Sequence, residues 1–288
     1  MMDRKLEDHN RNVVEYYHAT YAHYRDGWMD RSNLAMHFGF TDEKARSHGE
    51  SLIRMNEVLA ERIGIRGGEW ILDAGCGVGG SGIWIAKNLG ARVTGISLVE
   101  RQVRQAIDFV REDGLSRLVD FCVADFMRTG FSAGCFDVLW AIESSCYALQ
   151  KHDFGCEAWR VLKPGGRMVI ADFFLGSGTP SEENEAILNA WLSAWAMPPL
   201  LDPGSFIASL EAAGFENVCY ENITRHVVYA SVGLYLAAER SLAEAIDCQS
   251  GDPNSAWQVA NILGCRDQYL ALTQDMWEYG ILWANKPI

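Results

Sequence analysis

Residues 72–86 read LDAGCGVGGSGIWIA, and five glycines fall within eight consecutive positions of this stretch, between two apolar runs. Glycine inside a helix or strand costs roughly 0.5–1 kcal/mol relative to alanine. A run of glycines therefore indicates a sharp backbone turn or the close approach of a ligand. Gly75, Gly77 and Gly80 also satisfy the spacing G-x-G-x-x-G of dinucleotide-binding loops. The stretch predicts a nucleotide-binding turn between a strand and a helix, and leaves the nucleotide open.

The segments around this loop alternate between short apolar runs and helical patterns. Five predicted strands read WILDAG, ARVTGIS, VDFCVAD, FDVLWAIE and RMVIADFF. A helix is expected over HDFGCEAWRVLKPGG, stopped by Pro164, Gly165 and Gly166. The alternation predicts an α/β fold with a Rossmann-like, doubly wound, mostly parallel sheet. Right-handed crossovers in such a sheet bring the carboxyl ends of the strands to one edge.

The rest of the chain is predicted to surround this sheet. Residues 1–66 are expected to form a helical N-terminal cap, and residues 67–288 the sheet domain. Two segments, about 176–203 and 226–276, break the alternation with mostly helical patterns, the second interrupted near QSGDPNS. We expect them to form a lid and substrate insertions. In the cap, one helix face is predicted from the apolar residues Leu52, Met55, Leu59 and Ile63.

Composition narrows the class of partner. The 288-residue chain carries a formal net charge of −13, whereas nucleic-acid binders depend on Lys and Arg to neutralise phosphates, so we expect no nucleic-acid partner. No apolar run approaches the ~20 residues of a membrane-spanning helix. The eight cysteines form no C-x-x-C pair and no metal spacing with the seven histidines. We expect no metal site, and reduced thiols in a cytoplasmic protein, since the start MMDRKLEDHNRN is unlike a secretory signal.

Two acidic positions distinguish the nucleotides. A nicotinamide dinucleotide needs an acid at the end of the second strand for its ribose hydroxyls, and that strand ends in Ser97. An acid, Asp73, instead stands directly before the glycines, where a carboxylate would repel a pyrophosphate. It suits a ligand with an ammonium group and no phosphate. S-adenosylmethionine has both properties.

Several motifs then form one set. LDAGCGVGG, a strand ending in GIS, then VAD, FDVLWAIESSCY and VLKPGG together resemble the class I S-adenosylmethionine-dependent methyltransferase family across residues 69–174. The resemblance implies that Asp73, Gly75 and Gly77 hold the methionine part of that cofactor.

The same resemblance assigns the nucleoside part. It implies that Asp125 contacts the adenine amino group, that Phe126 lies beside the ring, and that Ala141 lines the same pocket. Ser97 departs from the acid that many members carry for the ribose. A branch resembling sterol, tocopherol and cyclopropane-fatty-acid enzymes has a small polar residue there and a glutamine five positions on, which Ser97 and Gln102 match.

Candidate catalytic residues follow the fourth predicted strand. The segment IESSCY resembles the E-x-x-C-H stretch of sterol C-methyltransferases, with Tyr147 in place of the histidine, as in a terpenoid-diphosphate C-methyltransferase branch. Glu143 becomes the candidate that stabilises a cation or removes a proton, with Tyr147 beside it; the alternative is that Glu143 only orders the loop. His37, in LAMHFGF, resembles a segment that closes over cofactor and substrate. It could position or deprotonate a hydroxyl, or be structural.

Aromatic residues predict the wall of an apolar substrate pocket. The candidates for contacts with the substrate are Tyr24, Trp28, Cys146, Trp191 and Trp195. Trp191 and Trp195 are four residues apart and are expected to share one helix face. A diphosphate would need arginines or lysines nearby, and no cluster of them stands out.

The sequence therefore predicts an S-adenosylmethionine-dependent methyltransferase that acts on a small apolar metabolite, such as a terpenoid, sterol-like or polycyclic molecule. Carbon is the expected acceptor atom. An O- or N-methyltransferase of the same fold is the nearest alternative. A nicotinamide oxidoreductase and a non-catalytic cofactor-binding protein are more distant ones. The acceptor and any assembly into a homo-oligomer are left open.

Overall fold

A single sheet organises the protein, whose computed structural model describes residues 2–247 and 255–288. Its seven described strands are β1 (Trp70–Ala74), β2 (Arg92–Ser97), β3 (Val119–Val123), β4 (Phe136–Ile142), β5 (Leu162–Leu175), β6 (Glu216–Asn222) and β7 (Trp277–Asn285). They lie in the order β3-β2-β1-β4-β5-β7-β6. The first five strands run parallel, while β7 is antiparallel to both of its neighbours. The predicted fold class is confirmed.

Helices cover both faces of this sheet and build the cap. The described helices are α1 (Met2–Gly27), α2 (His48–Ile63), α3 (Gly80–Leu89), α4 (Glu100–Glu112), α5 (Lys151–Val161), α6 (Glu182–Ala194), α7 (Pro203–Ala212), α8 (Thr224–Asp247) and α9 (Ser255–Thr273). A 3₁₀ turn, Ser145–Tyr147, follows β4. Two apolar cores result, one on each face of the sheet.

Local signals explain how the cap helix α2 begins and ends. The Ser47 side chain accepts a hydrogen bond from the backbone N–H of Glu50, and the Glu50 side chain accepts one from the backbone N–H of Ser47, so the helix starts with a capping box. Gly64 ends it in the left-handed conformation, with φ +61°. The predicted apolar face, Leu52, Met55, Leu59 and Ile63, is buried as expected.

The structure corrects one predicted boundary. The helix expected to stop at the Pro-Gly-Gly sequence ends earlier, at Val161, and residues 164–166 lie inside β5. Position 166 sits close to the carbonyls of Lys163 and Asp137, so the glycines shape an irregular strand start that pairs with β4. The predicted interruption near QSGDPNS falls on residues 248–254, outside the described part of the chain.

Within residues 2–247 and 255–288, no helix combines the length and the apolar character needed to cross a membrane.

Candidate functional site

A cavity lies along the carboxyl ends of β1, β2 and β4, and we refer to it as the sheet-edge cavity. Its floor is formed by the glycine loop after β1, the turn after β2 and the turn after β4. Helix α1 and residues 34–37 cover it. Ligands of open α/β sheets bind at this edge, where the strand order reverses. Here the reversal lies between β1 and β4.

The loop after β1 needs glycine both because neighbouring residues pack closely against it and because the loop lines the cavity. A Cβ atom on Gly75 would lie 2.3 Å from Cβ of Ser144, and one on Gly80 would lie 2.5 Å from the carbonyl oxygen of Leu34. Gly77 has φ +51° and lines the cavity. Its neighbour across the gap is Met36, whose Sδ would be 3.4 Å from an added Cβ. The loop therefore brings backbone, rather than side chains, to the ligand.

Asp73 ends β1 with a carboxylate that lacks a partner. The residue is 2% exposed, and its Oδ2 has no hydrogen bond from any part of the protein that the structure describes. Burial raises the pKa of Asp73 to about 7. An unpaired buried carboxylate is costly, and a ligand ammonium group would relieve that cost. This orphaned oxygen fits the amino group of a methionine moiety.

Ser97 and Gln102 form the pair that their spacing predicted. The Ser97 hydroxyl donates to Oε1 of Gln102 at 2.9 Å and accepts from the backbone N–H of Val99 at 3.1 Å. Both side chains line the sheet-edge cavity. The turn after β2 thus presents neutral polar groups where a dinucleotide site would carry an acid.

Helix α1 contacts the sheet-edge cavity through two hydrogen bonds. Asn10 donates to Oδ2 of Asp125 at 2.8 Å, and Oδ1 of Asp125 accepts from the backbone N–H of Met127 at 2.8 Å. His9 donates to the carbonyl of Tyr147 at 2.8 Å. The α1 side chains therefore close over the site and occupy the carboxylate expected to contact adenine.

A second cavity of about 400 Å³, which we refer to as the cap cavity, lies among α1, α8, α9 and residues 36–38. Its volume lies in the range of small-molecule sites. The apolar part of its wall is formed by Tyr24, Trp28, Phe38, Trp195, Leu234 and Ile262. Asp26 and Glu143 are acidic, and no lysine or arginine lines it among the described residues. Residues 243–254 read AEAIDCQSGDPN and contain neither lysine nor arginine.

The two cavities meet at three residues. Met36, His37 and Glu143 line both of them. Glu143 directly follows β4 and holds φ +47°, a conformation that non-glycine residues seldom adopt. Its Oε1 accepts from the backbone N–H of Phe38 at 2.6 Å and from the hydroxyl of Tyr279 at 2.8 Å. Burial raises the pKa of Glu143 to about 8 and so favours the neutral carboxylic acid near pH 7.

His37 lies beside Glu143 as a neutral imidazole. Its Nδ1 donates to the carbonyl of Phe38 at 2.8 Å, which leaves Nε2 as a hydrogen-bond acceptor. Nε2 is buried and has no partner in the described chain. Burial lowers the pKa of His37 to about 4. The junction therefore holds one unpaired nitrogen base and one carboxyl group.

Hydrogen bonds from two buried side chains, Asp172 and Lys151, hold the turn that carries Glu143. Asp172 of β5 accepts from the Ser145 hydroxyl at 2.6 Å and from the Cys146 backbone N–H at 2.8 Å. Nζ of Lys151 donates to three carbonyls of the turn, those of Ser145, Cys146 and Ala148, at 2.7–2.9 Å. The turn is pinned from both sides, which fixes the position of Glu143.

Comparison with known proteins agrees with this geometry. A family model described as a methyltransferase domain matches residues 72–170. Methyltransferase GfsG of Streptomyces halstedii is 32% identical over 209 residues, which cover 72% of this chain and 73% of that protein. The chain belongs to the class I methyltransferase family. The family predicted from the motifs is thereby confirmed.

Two further comparisons give the extent of the likeness. Sterol 24-C-methyltransferase ERG6 of Saccharomyces cerevisiae is 32% identical over 173 residues, covering 60% of this chain and 44% of the yeast protein. The match thus spans less than half the length of that relative. The crystal structure of the [4+2]-cyclase SpnF has a TM-score of 0.77 at 25% identity, covering 96% of this chain and 94% of that one.

The structure brings together most of the predicted site residues. Those on the sheet-edge cavity are Asp73, Gly75, Gly77, Ser97, Gln102, Phe126, Glu143, His37 and Tyr147. Those on the cap cavity are Tyr24, Trp28, Trp195, Glu143 and His37. Tyr147 lines the sheet-edge cavity and not the cap cavity, so it faces the expected cofactor side.

Four predicted contacts are not among the lining residues. Ala141 lies inside β4 and is fully buried in the core on one face of the sheet. Cys146 is buried beneath the turn, where its N–H contacts Asp172. Trp191 is fully buried against Phe173 and Trp277. The carboxylate of Asp125 is occupied by Asn10 and lies outside the lining of the sheet-edge cavity.

Trp191 and Trp195 stay in contact, with their ring centroids 5.6 Å apart, although the helix ends between them. Helix α6 stops at Ala194, and Trp195 is its C-cap with φ −103°. The N–H of Trp195 still donates to the carbonyl of Trp191 at 3.1 Å, so the two residues keep the expected i, i+4 relation, and only Trp195 reaches the cap cavity.

Sequence reasoning missed His9, Asn10 and Tyr279. All three contact the site from elements far away along the chain, α1 and β7. Asn10 and Asp125 are separated by 115 residues, and Tyr279 and Glu143 by 136. No local motif signals such pairs.

Proposed function

We propose that the protein transfers a methyl group from S-adenosylmethionine in the sheet-edge cavity to a small apolar molecule in the cap cavity. The observation that carries this proposal is the junction, because Met36, His37 and Glu143 line both cavities. Holding two reactants in contact can supply roughly 7–11 kcal/mol of a reaction barrier. The protein's main contribution is therefore placement.

The chain's own residues fit the cofactor. The unpaired Oδ2 of Asp73 would bind the ammonium group of the cofactor, and the absence of a side chain at Gly77 would let the cofactor lie against the backbone. Ser97 and Gln102 would contact its ribose. S-adenosylmethionine supplies an electrophilic methyl group on a sulfonium cation. A cation near Glu143 and Asp73 lowers the pKa of each carboxyl. Both carboxyl groups would therefore ionise more readily with a cation bound.

We propose that the methyl group is transferred to a carbon atom, and that Glu143 responds to the positive charge that forms on the acceptor. An attacking double bond leaves positive charge on the acceptor. The Glu143 carboxylate at the junction then stabilises that charge and accepts the proton that leaves. The aromatic side chains of Tyr24, Trp28 and Phe38 line the same cavity and favour a cation over their faces.

The charge of the cap cavity supports a neutral acceptor. Among its described lining residues, Asp26 and Glu143 are acidic and none is a lysine or arginine. In the same residues no group of three or more His, Cys, Asp or Glu side chains could hold a metal ion. A diphosphate would find neither a cationic side chain nor a metal-binding group among these described residues. A terpenoid, sterol-like or polycyclic molecule without a phosphate fits the wall.

We further propose that residues 1–66 and the insertions at about 176–203 and 226–276 form the acceptor-binding cap. Helices α1, α8 and α9, together with Trp195, line the cap cavity, which supports this division. The seven cysteines described as free thiols support the proposed cytoplasmic location.

Two other functions have specific support. His37, with an unpaired Nε2 at the junction, would serve an O-methyltransferase as the base that deprotonates a hydroxyl. The likeness to the [4+2]-cyclase SpnF over nearly the whole chain supports an intramolecular cycloaddition, which isomerises its substrate and consumes no methyl donor.

Mass spectrometry with methyl-deuterated S-adenosylmethionine separates these functions. The protein is incubated with neutral terpenoid, sterol and polycyclic acceptors, and NMR locates the new methyl group. We expect deuterated methyl on carbon. A methyl on oxygen or nitrogen refutes carbon methylation, and an isomerised product without deuterium identifies a cyclase. Calorimetry should show that S-adenosylhomocysteine binds without competition from NADH, and tight NADH binding overturns the cofactor assignment.

A further inference from the structure

Glu143 is held at the junction in a strained and well-defined position. Its backbone has φ +47°, and its N–H donates to the carbonyl of Ala171 at 2.9 Å. Strain of this kind persists only where the surroundings impose it, and it clusters at functional sites. In the described chain, both hydrogen bonds to the side chain end on Oε1. Oε2 is left without a donor.

Tyr279 provides one of those two hydrogen bonds from a strand two places away from β4 in the sheet. It lies in β7, is fully buried, and its N–H donates to the hydroxyl of Thr224 at 2.9 Å. Its ring stacks on Phe38 with centroids 6.1 Å apart and 5° between the planes. Phe38 supplies the second hydrogen bond through its backbone N–H. One stacked pair therefore delivers both donors to the same oxygen.

We propose that Tyr279 is a positioning residue, which holds the Glu143 carboxyl through Oε1 and keeps Oε2 available at the junction of the two cavities. The catalytic consequence rests on the proposed function, whereas the positioning itself does not. A donor directed at a carboxylate stabilises its charged form. Tyr279 thus opposes the effect of burial on Glu143.

The other titratable groups around Glu143 do not mask the effect of Tyr279 on its pKa. The titratable or charged side chains that face it or support its turn are His37, Tyr17 and Tyr24 of the cap, Cys146 and Tyr147 of the turn, Asp172 of β5 and Lys151 of α5. Burial raises the pKa of the phenols and of the Cys146 thiol, so they stay neutral near pH 7. Asp172 raises the pKa of Glu143, and the Tyr279 hydroxyl lowers it.

Tyr279→Phe removes the hydroxyl and keeps the ring stack. A hydrogen bond to a charged group is worth enough to shift a pKa by about one to two units. Activity that needs ionised Glu143 rises with pH, so the rising limb of the kcat/KM profile should move up by about one to two pH units. Infrared difference spectra against Glu143→Gln identify the protonated-carboxyl band of Glu143, and the pH midpoint of this band should move up by the same amount from wild type to Tyr279→Phe, without any acceptor.

Tyr220→Phe is the matched control. The Tyr220 hydroxyl of β6 donates to Oε1 of Glu278 of β7 at 2.6 Å, which is another tyrosine–glutamate pair, and neither residue lines either cavity. This variant should leave the pH profile and the Glu143 band unchanged. In the Glu143→Gln background, Tyr279→Phe should cause no further shift in the profile.

The outcomes are distinct. An unchanged Glu143 band in folded Tyr279→Phe overturns the positioning role. A shifted band with no methyl transfer to any acceptor supports positioning and contradicts the proposed function. If Tyr279→Phe fails to fold, Glu143→Asp, which is one methylene too short to reach both donors, should shift the band in the same direction. No shift there also overturns the proposal.

Discussion

Replacing Asp73 by asparagine separates the energetic cost of the binding site from its benefit. The carboxylate is buried, and its Oδ2 has no partner in the described residues. Asparagine has nearly the same shape and cannot ionise. The apo protein should therefore become more stable above neutral pH, while cofactor binding should become weaker.

The magnitude follows from proton linkage. Burial raises the pKa of Asp73 from 3.8 to about 7, so between these values the unfolded chain loses its proton and the native protein keeps it. The free energy of unfolding then falls as pH rises, reaching a penalty of about 4 kcal/mol above pH 7 at about 1.4 kcal/mol per unit. The buried amide of the variant is itself unsatisfied, which costs about 1–3 kcal/mol and offsets part of this gain. The net gain near pH 8 is about 1–3 kcal/mol.

Urea denaturation of apo wild type and Asp73→Asn at about pH 5 and about pH 8 measures the effect. Between these values wild type should lose about 3 kcal/mol that the variant does not lose, because Asp73 titrates up to about 7. Ionisation of the buried Glu143 also lowers the free energy of unfolding over this range, and it does so equally in both proteins. Saturating S-adenosylhomocysteine should stabilise wild type by about 2.7 kcal/mol at 100 times its Kd, and the variant by less. Parallel pH slopes for the two proteins would refute the reasoning.

Four further substitutions test the site. Glu143→Gln should lower turnover by about 100- to 1000-fold with little change in cofactor affinity, and His37→Phe should cost less; single-turnover rates in the reverse order would indicate an oxygen acceptor. Trp195→Ala should weaken acceptor binding by about 10- to 100-fold, more than cofactor binding, and equal effects in calorimetry would place this indole in the core. Asn10→Ala should free Asp125 for the adenine amino group and tighten S-adenosylhomocysteine binding about tenfold; weaker binding would make Asn10 a ligand contact.

Local features of the sequence determined the fold class and much of the sheet-edge cavity. Strand and helix patterns depend on near neighbours, and the five predicted strands correspond to β1–β5, of which β5 begins earlier than expected. The glycine loop, Asp73 at its start, and the Ser97–Gln102 pair are also local, because their geometry follows from one turn each. Residues within a few positions of one another could therefore be assigned before any tertiary contact was known.

Tertiary structure alone decided which side chains meet at the junction. Tyr279 contacts Glu143, and Asn10 contacts Asp125, across more than a hundred residues of chain. It also buried Trp191 fully, while Trp195, in contact with it at 5.6 Å between ring centroids, lines the cap cavity. Periodicity predicts which face of an element is apolar, but many surfaces can bury that face equally well. The partner is selected by packing over the whole domain, and the cavities are the spaces that this packing leaves.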